Sequence, residues 1–546
     1  MDCSRLAQEA LPSSNGLAEA FVRDFSRVSS FYRRLPGTPE EWRERWAEVR
    51  ARHSLPRSEL LAALHSLHRE LPAAEAVRRN LALLEDADTV TVVTGQQVGV
   101  LGGPALTLYK AATAVRLAER LRKWGIPAVP VFWLATEDSD YDEVARTWFP
   151  GEDEMIEVVH PAGEVQAGQM AGTVGVAPWE QWLGQNATLL DSCVEARWVR
   201  ELLLDAYAPG RSLGLAFAWW LQRVFEGEGL LCFDPLRLEF TPSLLGFYRT
   251  AVTRRDELVG QVLQRNRELT DRGFAPQVRV DADETFLFWV SGNRRWKLEW
   301  KEGRFQAKGR RSWNFDAAEL PAAVERGEGR LAPSALLRPV LQDFVLSAAA
   351  AVVGPAELAY FAQVSALEKE FGIRTLPYPR LSVTVVDRKS ARLLERYGFS
   401  VPEILTGDRG GLLERALQGD EVGHLLDRVV GTRREVAAAV AALQRELVRV
   451  DPVAAGMLER AAPRMDYHFE KVRRRLLERE RVRRSVAYRH VSRLLAALAP
   501  AGGLQERRVN ANWVLAMGGP EVIRELPACC KVGAELGSHW VCRVSP

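Results

Sequence analysis

Two clusters of side chains between Gly95 and Glu143 carry the residue types that bind and transform small ligands. The first is GQQVGVLGGP, Gly95 to Pro104, which packs four glycines and two glutamines into ten residues. Gly95, Gly99, Gly102 and Gly103 would let the backbone take positive φ and approach a ligand closely. Gln96 and Gln97 supply neutral donors and acceptors. Pro104, read as the first residue of a helix, would leave the next N–H groups facing the turn, where an anion is favoured, with Lys110 one turn further on. The spacing is neither G-x-G-x-x-G nor G-x-x-x-x-G-K-[ST], so this is not a standard dinucleotide or triphosphate cradle. On this reading, replacing Gly102 or Gly103 with valine abolishes ligand binding and spares the fold. The second cluster is Glu137, Asp138 and Asp140, with Asp142 and Glu143 behind it. Such carboxylates suit an amine, sugar hydroxyls or Mg²⁺, and the bland alternative is capping of a helix start.

Further polar groups interrupt apolar helical patterns later in the chain. Arg338, Gln342 and Asp343 form one set; Gly354, Glu357, Tyr360 and Gln363 form another, whose last three share one helix face. Arg380 and Ser382 follow.

The elements that must position these groups are legible in outline. Thr89 to Thr94 is β-branched and stops at Gly95, a helix pattern starts at Pro104, and a second apolar run, Val129 to Ala135, ends in the acidic cluster. That is a βαβ unit, and open α/β sheets bind ligands beyond the carboxyl ends of their strands. Residues 1–88 read as a helical segment packed on the core, without strand signals. The core occupies 89–145, 201–240 and 331–390. It is cut by insertions at 146–200 and 241–330, the latter with a helix (Leu244 to Arg272) and β-hairpins turning at Ser291-Gly292-Asn293 and Lys301-Glu302-Gly303. Residues 391–500 read as a helical coiled coil. Leu426, Val429, Arg433, Val436, Val440, Leu443, Leu447 and Val450 alternate by three and four, and the pattern returns after Asp451-Pro452 from Leu458 to Leu476, as in an antiparallel hairpin. Two such seams predict a two-fold dimer contact. Residues 501–546 return to the core.

Composition narrows the function classes. With 47% hydrophobic residues and 73 basic against 71 acidic side chains, the 546-residue chain is globular and nearly neutral. Nothing here predicts a nucleic-acid or membrane partner, and no apolar run reaches the length of a membrane span. The N-terminus has no signal-peptide core, so the expected compartment is the cytoplasm. The six cysteines include no C-x-x-C pair; they are expected to be reduced thiols, with no metal bound.

These motifs together resemble the BshC family, the cysteine-adding enzymes of bacillithiol biosynthesis. The resemblance is carried by TGQQ-x-G-x-x-GGP (Thr94 to Pro104), T-x-YK (Thr107 to Lys110) and PVFWLA-x-ED (Pro130 to Asp138). It continues through RP-x-x-QD (Arg338 to Asp343), GP-x-E-x-x-Y-x-x-Q (Gly354 to Gln363), PR-x-S (Pro379 to Ser382) and QER-x-x-N (Gln505 to Asn510). One departure stands out: the family's acidic strand end usually reads E-D-H-D, and this chain has Ser139 in place of the histidine. The resemblance implies an α/β fold with a Rossmann-like parallel-sheet core, connecting-peptide insertions and an antiparallel coiled-coil domain used for homodimerisation. It implies a ligase that joins cysteine to glucosaminyl malate through an amide bond. ATP is the activator such a fold implies, and the acidic cluster would hold the sugar hydroxyls and amine or, alternatively, Mg²⁺. The catalytic candidates are then Glu137, Asp138 and Asp140. The binding candidates are Gln96, Gln97, Gly99, Gly102, Gly103, Pro104, Lys110, Arg338, Gln342, Gly354, Glu357, Tyr360, Gln363, Arg380 and Ser382. The competing readings are a non-catalytic coiled-coil dimer whose core senses a small anion or nucleotide, and a relative of the tRNA synthetases. The near-neutral charge weighs against the second of these.

Overall fold

The computed structural model describes residues 1–6, 11, 15–160, 165–176, 179, 190, 193–310, 312–417, 421–530 and 537–544. Much of the first insertion read at 146–200 therefore lies outside the described residues. The chain forms two compact units. One comprises Met1–Phe149, Met155–Arg388 and Gly503–Pro546; the other comprises Pro150–Glu154 and Lys389–Gly502.

The first unit is built on a five-stranded parallel sheet. Its spatial order is Pro377–Pro379, Ala348–Val353, Val90–Gln96, Ala128–Leu134 and Leu231–Phe233. Both central strands of the βαβ unit are buried almost throughout, as a sheet covered on both faces requires. Their register runs from Val90 opposite Ala128 to Gln96 opposite Leu134. The two proline-rich residues of Pro377–Pro379 sit at the sheet edge, where a missing N–H is tolerated. From Val90–Gln96 the chain builds outward to Ala128–Leu134 and Leu231–Phe233. It later builds the other way through Ala348–Val353. The order thus reverses between Val90–Gln96 and Ala348–Val353, and a crevice opens at that point.

The crossover helix is Leu106–Lys123, with Ala105 as its N-cap, so it starts two residues after the expected Pro104. Its buried Ala111, Ala114 and Ala118 let it lie close to the strands. The second insertion opens with two helices, Pro242–Thr253 and Arg255–Asp271, where one was expected, and holds a third, Glu319–Glu325, near its end. The first two lead into an antiparallel sheet ordered Asn314–Phe315, Arg304–Ala307, Arg294–Lys301, Glu284–Ser291 and Arg330–Pro333. Its hairpins turn at Gly292 and at Glu302-Gly303, all three at positive φ.

A small third sheet departs from the sequence reading. Asp2–Leu6 is a strand, although residues 1–88 had been expected to be helical, and it pairs antiparallel with His539–Arg543. Ser382–Val386 pairs parallel with that same strand rather than with the core sheet. The partner of Asp2–Leu6 lies at the other end of the chain, so no local pattern announces the pairing. Cys3 and Cys542 face each other in this register and form a disulfide, which corrects the expectation of reduced thiols. Cys193, Cys232, Cys529 and Cys530 are not disulfide-bonded.

The second unit is dominated by the helices Glu421–Val450 and Pro452–Leu498. Asp451 caps the second by accepting from the Val453 and Ala454 N–H groups. Arg433 pairs with Asp466 and Glu470 on the facing helix, which explains a cation in an otherwise apolar seam. No helix among the described residues is long and apolar enough to cross a membrane.

Candidate functional site

The crevice at the strand reversal is a cavity of about 500 Å³ within the first unit. Gly95, Gln96 and Gln97 enter from the end of one core strand, and Trp133, Glu137 and Asp138 from the end of its neighbour. Gly354, Glu357 and Tyr360 come from the start of the helix Pro355–Val364, and Arg338 from the start of Arg338–Leu346. Lys110, Arg380 and Arg507 complete one wall, and Phe288 and Arg295 of the inserted sheet form another.

Charges in the cavity are arranged in pairs, with a few left over. Lys110 is buried, and its ammonium donates to Glu357 Oε2 at 2.6 Å, to Gln96 Oε1 at 3.2 Å and to the Gly95 carbonyl. Burial pulls the Lys110 pKa down, opposed by Glu357. The same Glu357 oxygen accepts from the Gly354 N–H at 2.9 Å and so caps its own helix. Asp138 pairs with Arg295 at 2.6 Å and accepts from Gln97 Nε2 at 2.7 Å. Burial alone would raise the Asp138 pKa, but Arg295 and Gln97 outweigh it and hold the carboxylate ionised. Ser139 accepts from Arg295 Nε at 3.0 Å, so the residue standing where the family has histidine helps seat an arginine and cannot act as a base near neutral pH.

Three groups remain unspent. Glu137 has no hydrogen-bond partner among the described residues, and burial pushes its carboxyl up from 4.5 to about 7. Arg338 donates to the Tyr360 hydroxyl at 2.8 Å and has no carboxylate partner among the described residues. Arg507 is exposed and likewise unpaired. Arg380 is buried and spent on Glu506 at 2.6 Å. The cavity therefore offers cationic donors to an anion beside a carboxyl that titrates near neutrality, the combination expected of a general acid or base.

Several sequence-derived candidates lie elsewhere. The glycine turn folds into the protein interior. The Gly102 N–H donates to the Tyr207 hydroxyl at 2.7 Å, which in turn donates to the Gly99 carbonyl at 3.3 Å. A Cβ at Gly99 would lie 3.0 Å from the Gly103 Cα, and Gly103 takes a φ of +69. Pro104 bridges to Asn510, and the Ala105 N–H is taken by the Val509 carbonyl at 2.8 Å, so that N–H is not offered to an anion. The expected cradle is thus a packing device, and only its first three residues reach the cavity. Asp140 is exposed and caps the short helix Tyr141–Val144. Gln342 is buried outside the cavity lining. Gln363 is fully buried and holds the second insertion, accepting from the Val278 N–H at 2.9 Å and donating to Asn266 Oδ1 at 2.9 Å. Ser382 donates to Glu506 Oε1 at 2.9 Å and helps bind the small sheet. Gln363 and Ser382 serve contacts with distant segments, which spacing along the chain cannot reveal.

Arg295, Phe288 and Arg507 are the residues that sequence reasoning missed. Arg507 lies in the Gln505 to Asn510 motif and could have been singled out there. Gln505 and Glu506 clamp the strand Ser382–Val386, with the Val385 N–H donating to Gln505 Oε1 and the Val383 N–H to Glu506 Oε2, both at 2.8 Å, and so deliver Arg507 to the cavity. Arg295 and Phe288 sit on hairpin strands whose alternation does not say which face meets the core.

The cavity's arginines fit the phosphates of a nucleotide or the carboxylates of a substrate. A divalent cation fits poorly. Asp138 is spent on Arg295 and Glu357 on Lys110, and Asp140 is outside the cavity. Among the described residues, the only convergent group of three metal-ligating side chains is Cys3, Cys530 and Cys542, and two of these are joined in the disulfide of the small sheet.

Residues 1–381 match the family description "Bacillithiol biosynthesis BshC, N-terminal Rossmann-like domain", and residues 383–542 match "Bacillithiol biosynthesis BshC, C-terminal coiled-coil domain". A protein of Solibacter usitatus is 33% identical over 93% of this chain and 93% of its own length. One of Koribacter versatilis is 31% identical over 86% and 87%, and one of Salinibacter ruber is 28% identical over 96% and 95%. All three carry the name "Putative cysteine ligase BshC".

Proposed function

The chain belongs to the BshC family, and from that premise we propose that it joins the carboxyl of cysteine to the amine of glucosaminyl malate, with ATP activating the carboxyl. The observation that carries the reading is Glu137, a carboxyl without a hydrogen-bond partner among the described residues, held at about 7 in a cavity otherwise rich in cations. Amide formation needs the sugar amine as a free base. Glu137 takes the proton that the amine nitrogen loses as its C–N bond to the activated carbonyl forms and the activating group leaves with the oxygen. Arg338 and Arg507 meet the malate carboxylates or a phosphate. Asp138, fixed by Gln97 and Arg295, orients the sugar hydroxyls. ATP supplies the leaving group that makes the condensation downhill. No step is routed through Mg²⁺, because Asp138 and Glu357 are held by Arg295 and Lys110 and Asp140 lies outside the cavity.

The coiled-coil hairpin supports a homodimer. Leu443, Met465 and Val472 of its helices are 49%, 41% and 49% exposed in the single chain, more apolar surface than a solvated hairpin needs.

The test is mass spectrometry of purified protein with cysteine, glucosaminyl malate and ATP. Product that appears only with nucleotide supports the whole reading. Product formed equally well without nucleotide removes ATP from it, and no product under either condition favours a sensor of small anions.

A further inference from the structure

Three sulfurs converge in the small sheet. Cys3 lies on its edge strand, Asp2–Leu6, and is bonded to Cys542 on the central strand, His539–Arg543. Cys530, which closes the helix Val522–Cys529, places its Sγ 3.6 Å from the Cys542 Sγ. All three sulfurs lie within 4.8 Å of one another. Cys542 is therefore in reach of two partners and can bond to one of them at a time. The three differ in access. Cys530 and Cys542 are 1% and 0% exposed, whereas Cys3 is half-buried on a strand whose Asp2, Ser4 and Arg5 are exposed. Burial, with Cys529 beside it, pushes the Cys530 thiol up to about 12 and keeps it protonated, so an exchange that uses it is slow and the resting pairing persists.

We propose that Cys3, Cys542 and Cys530 form a thiol–disulfide relay, which accepts oxidation from a low-molecular-weight disulfide at Cys3 and passes it to the buried pair Cys542 and Cys530. The steps start from three thiols. The Cys3 thiolate attacks the small disulfide, bonds to one half of it and releases the other half as a thiol. The Cys542 thiolate attacks Cys3 Sγ and the second half leaves as a thiol, giving the Cys3–Cys542 bond of this structure. The Cys530 thiolate then attacks Cys542 Sγ. The Cys3–Cys542 bond breaks with its electron pair on Cys3, which takes up the proton that Cys530 lost. One small disulfide has been reduced to two thiols, and Cys530 and Cys542 have been oxidised, so electrons and protons balance. The last step moves the staple. Cys3–Cys542 ties the edge strand to its neighbour across 539 residues, whereas Cys530–Cys542 ties a helix end to that neighbour and leaves Asp2–Leu6 without a covalent tie. The chain thus reads the balance of small thiols and disulfides around it as a change of staple. The relay does not depend on the reaction assigned to the core crevice.

Peptide mapping by mass spectrometry tests this. The fully reduced, full-length chain is exposed to oxidised glutathione, quenched with acid at intervals, alkylated and digested. Wild type shows the Cys3–Cys542 link first and the Cys530–Cys542 link later. Cys530→Ser stops at Cys3–Cys542, and Cys529→Ser behaves as wild type, which separates the two adjacent cysteines. Cys3→Ser forms Cys530–Cys542 about tenfold or more slowly, because a buried thiol must then meet the oxidant directly. The proposal is overturned if wild type never forms Cys530–Cys542, if Cys529→Ser abolishes the later link, or if Cys3→Ser forms it as fast as wild type. It is equally overturned if Cys193 or Cys232 becomes linked to Cys542 as often as Cys530 does, which would mark random scrambling.

Discussion

Glu137→Gln isolates the titrating group of the reaction cavity. The wild-type carboxyl sits at about 7 when folded against 4.5 ordinarily, with burial as the main cause, opposed by Arg295, Arg330 and Arg338. Because the folded protein binds this proton more tightly than the unfolded chain, the group costs stability as it ionises. The cost begins above pH 4.5 and is fully developed above pH 7. At about 1.4 kcal/mol per tenfold in the proton equilibrium, it is about 1.4 kcal/mol at pH 5.5 and about 3 kcal/mol at pH 8. Glutamine carries no charge, so the variant should gain on wild type by about 2 kcal/mol between those two pH values. Urea unfolding of both proteins at pH 5.5 and pH 8 measures it. Activity should move the opposite way. The variant should lose about 10²-fold or more in turnover, and the limb of the wild-type pH profile with an apparent pKa near 7 should disappear. A stability difference that does not change with pH would refute the argument that Glu137 titrates in this window. A variant that keeps the limb would assign the base elsewhere.

Gly102→Val is expected to destabilise the fold itself by about 3 kcal/mol or more. Its Cβ would lie 2.6 Å from the fully buried Trp220, and the position has φ +78. A cooperative melt at the wild-type temperature would contradict this. Asp138→Asn leaves Arg295 without its carboxylate; the half-buried pair predicts a loss of about 1–2 kcal/mol, together with reduced turnover, by denaturant titration and product assay. Arg507→Ala should raise KM for the anionic substrate while the melting temperature stays put, since the side chain is exposed and unpaired among the described residues. Leu443→Asp plus Leu447→Asp should give a monomer by light scattering; a persistent dimer would place the contact elsewhere.

The sequence by itself determined the local elements and the family. The strand that ends at Gly95, the acidic strand end at Glu137 and Asp138, the hairpin turns at Gly292 and Gly303, and the break at Asp451-Pro452 are each written in a few consecutive residues. Hydrophobic period, β-branching and turn chemistry act at that range. Ten site candidates, among them Gln97, Lys110, Glu137, Arg338 and Glu357, do line the cavity, because strand ends and helix starts at a reversal of strand order must face the same crevice. What the tertiary structure decided is how each polar group is spent. Gly102 is a glycine because of Trp220, Gln363 is polar because of Val278 and Asn266, and Ser382 because of Glu506. Arg295 reaches Asp138 only because an inserted sheet folds over the core. The pairing of Cys3 with Cys542 joins strands from opposite ends of the chain. Such partners lie from 85 to 539 residues apart, and the burial that sets the proton affinity of Glu137 does not exist until those segments have packed together.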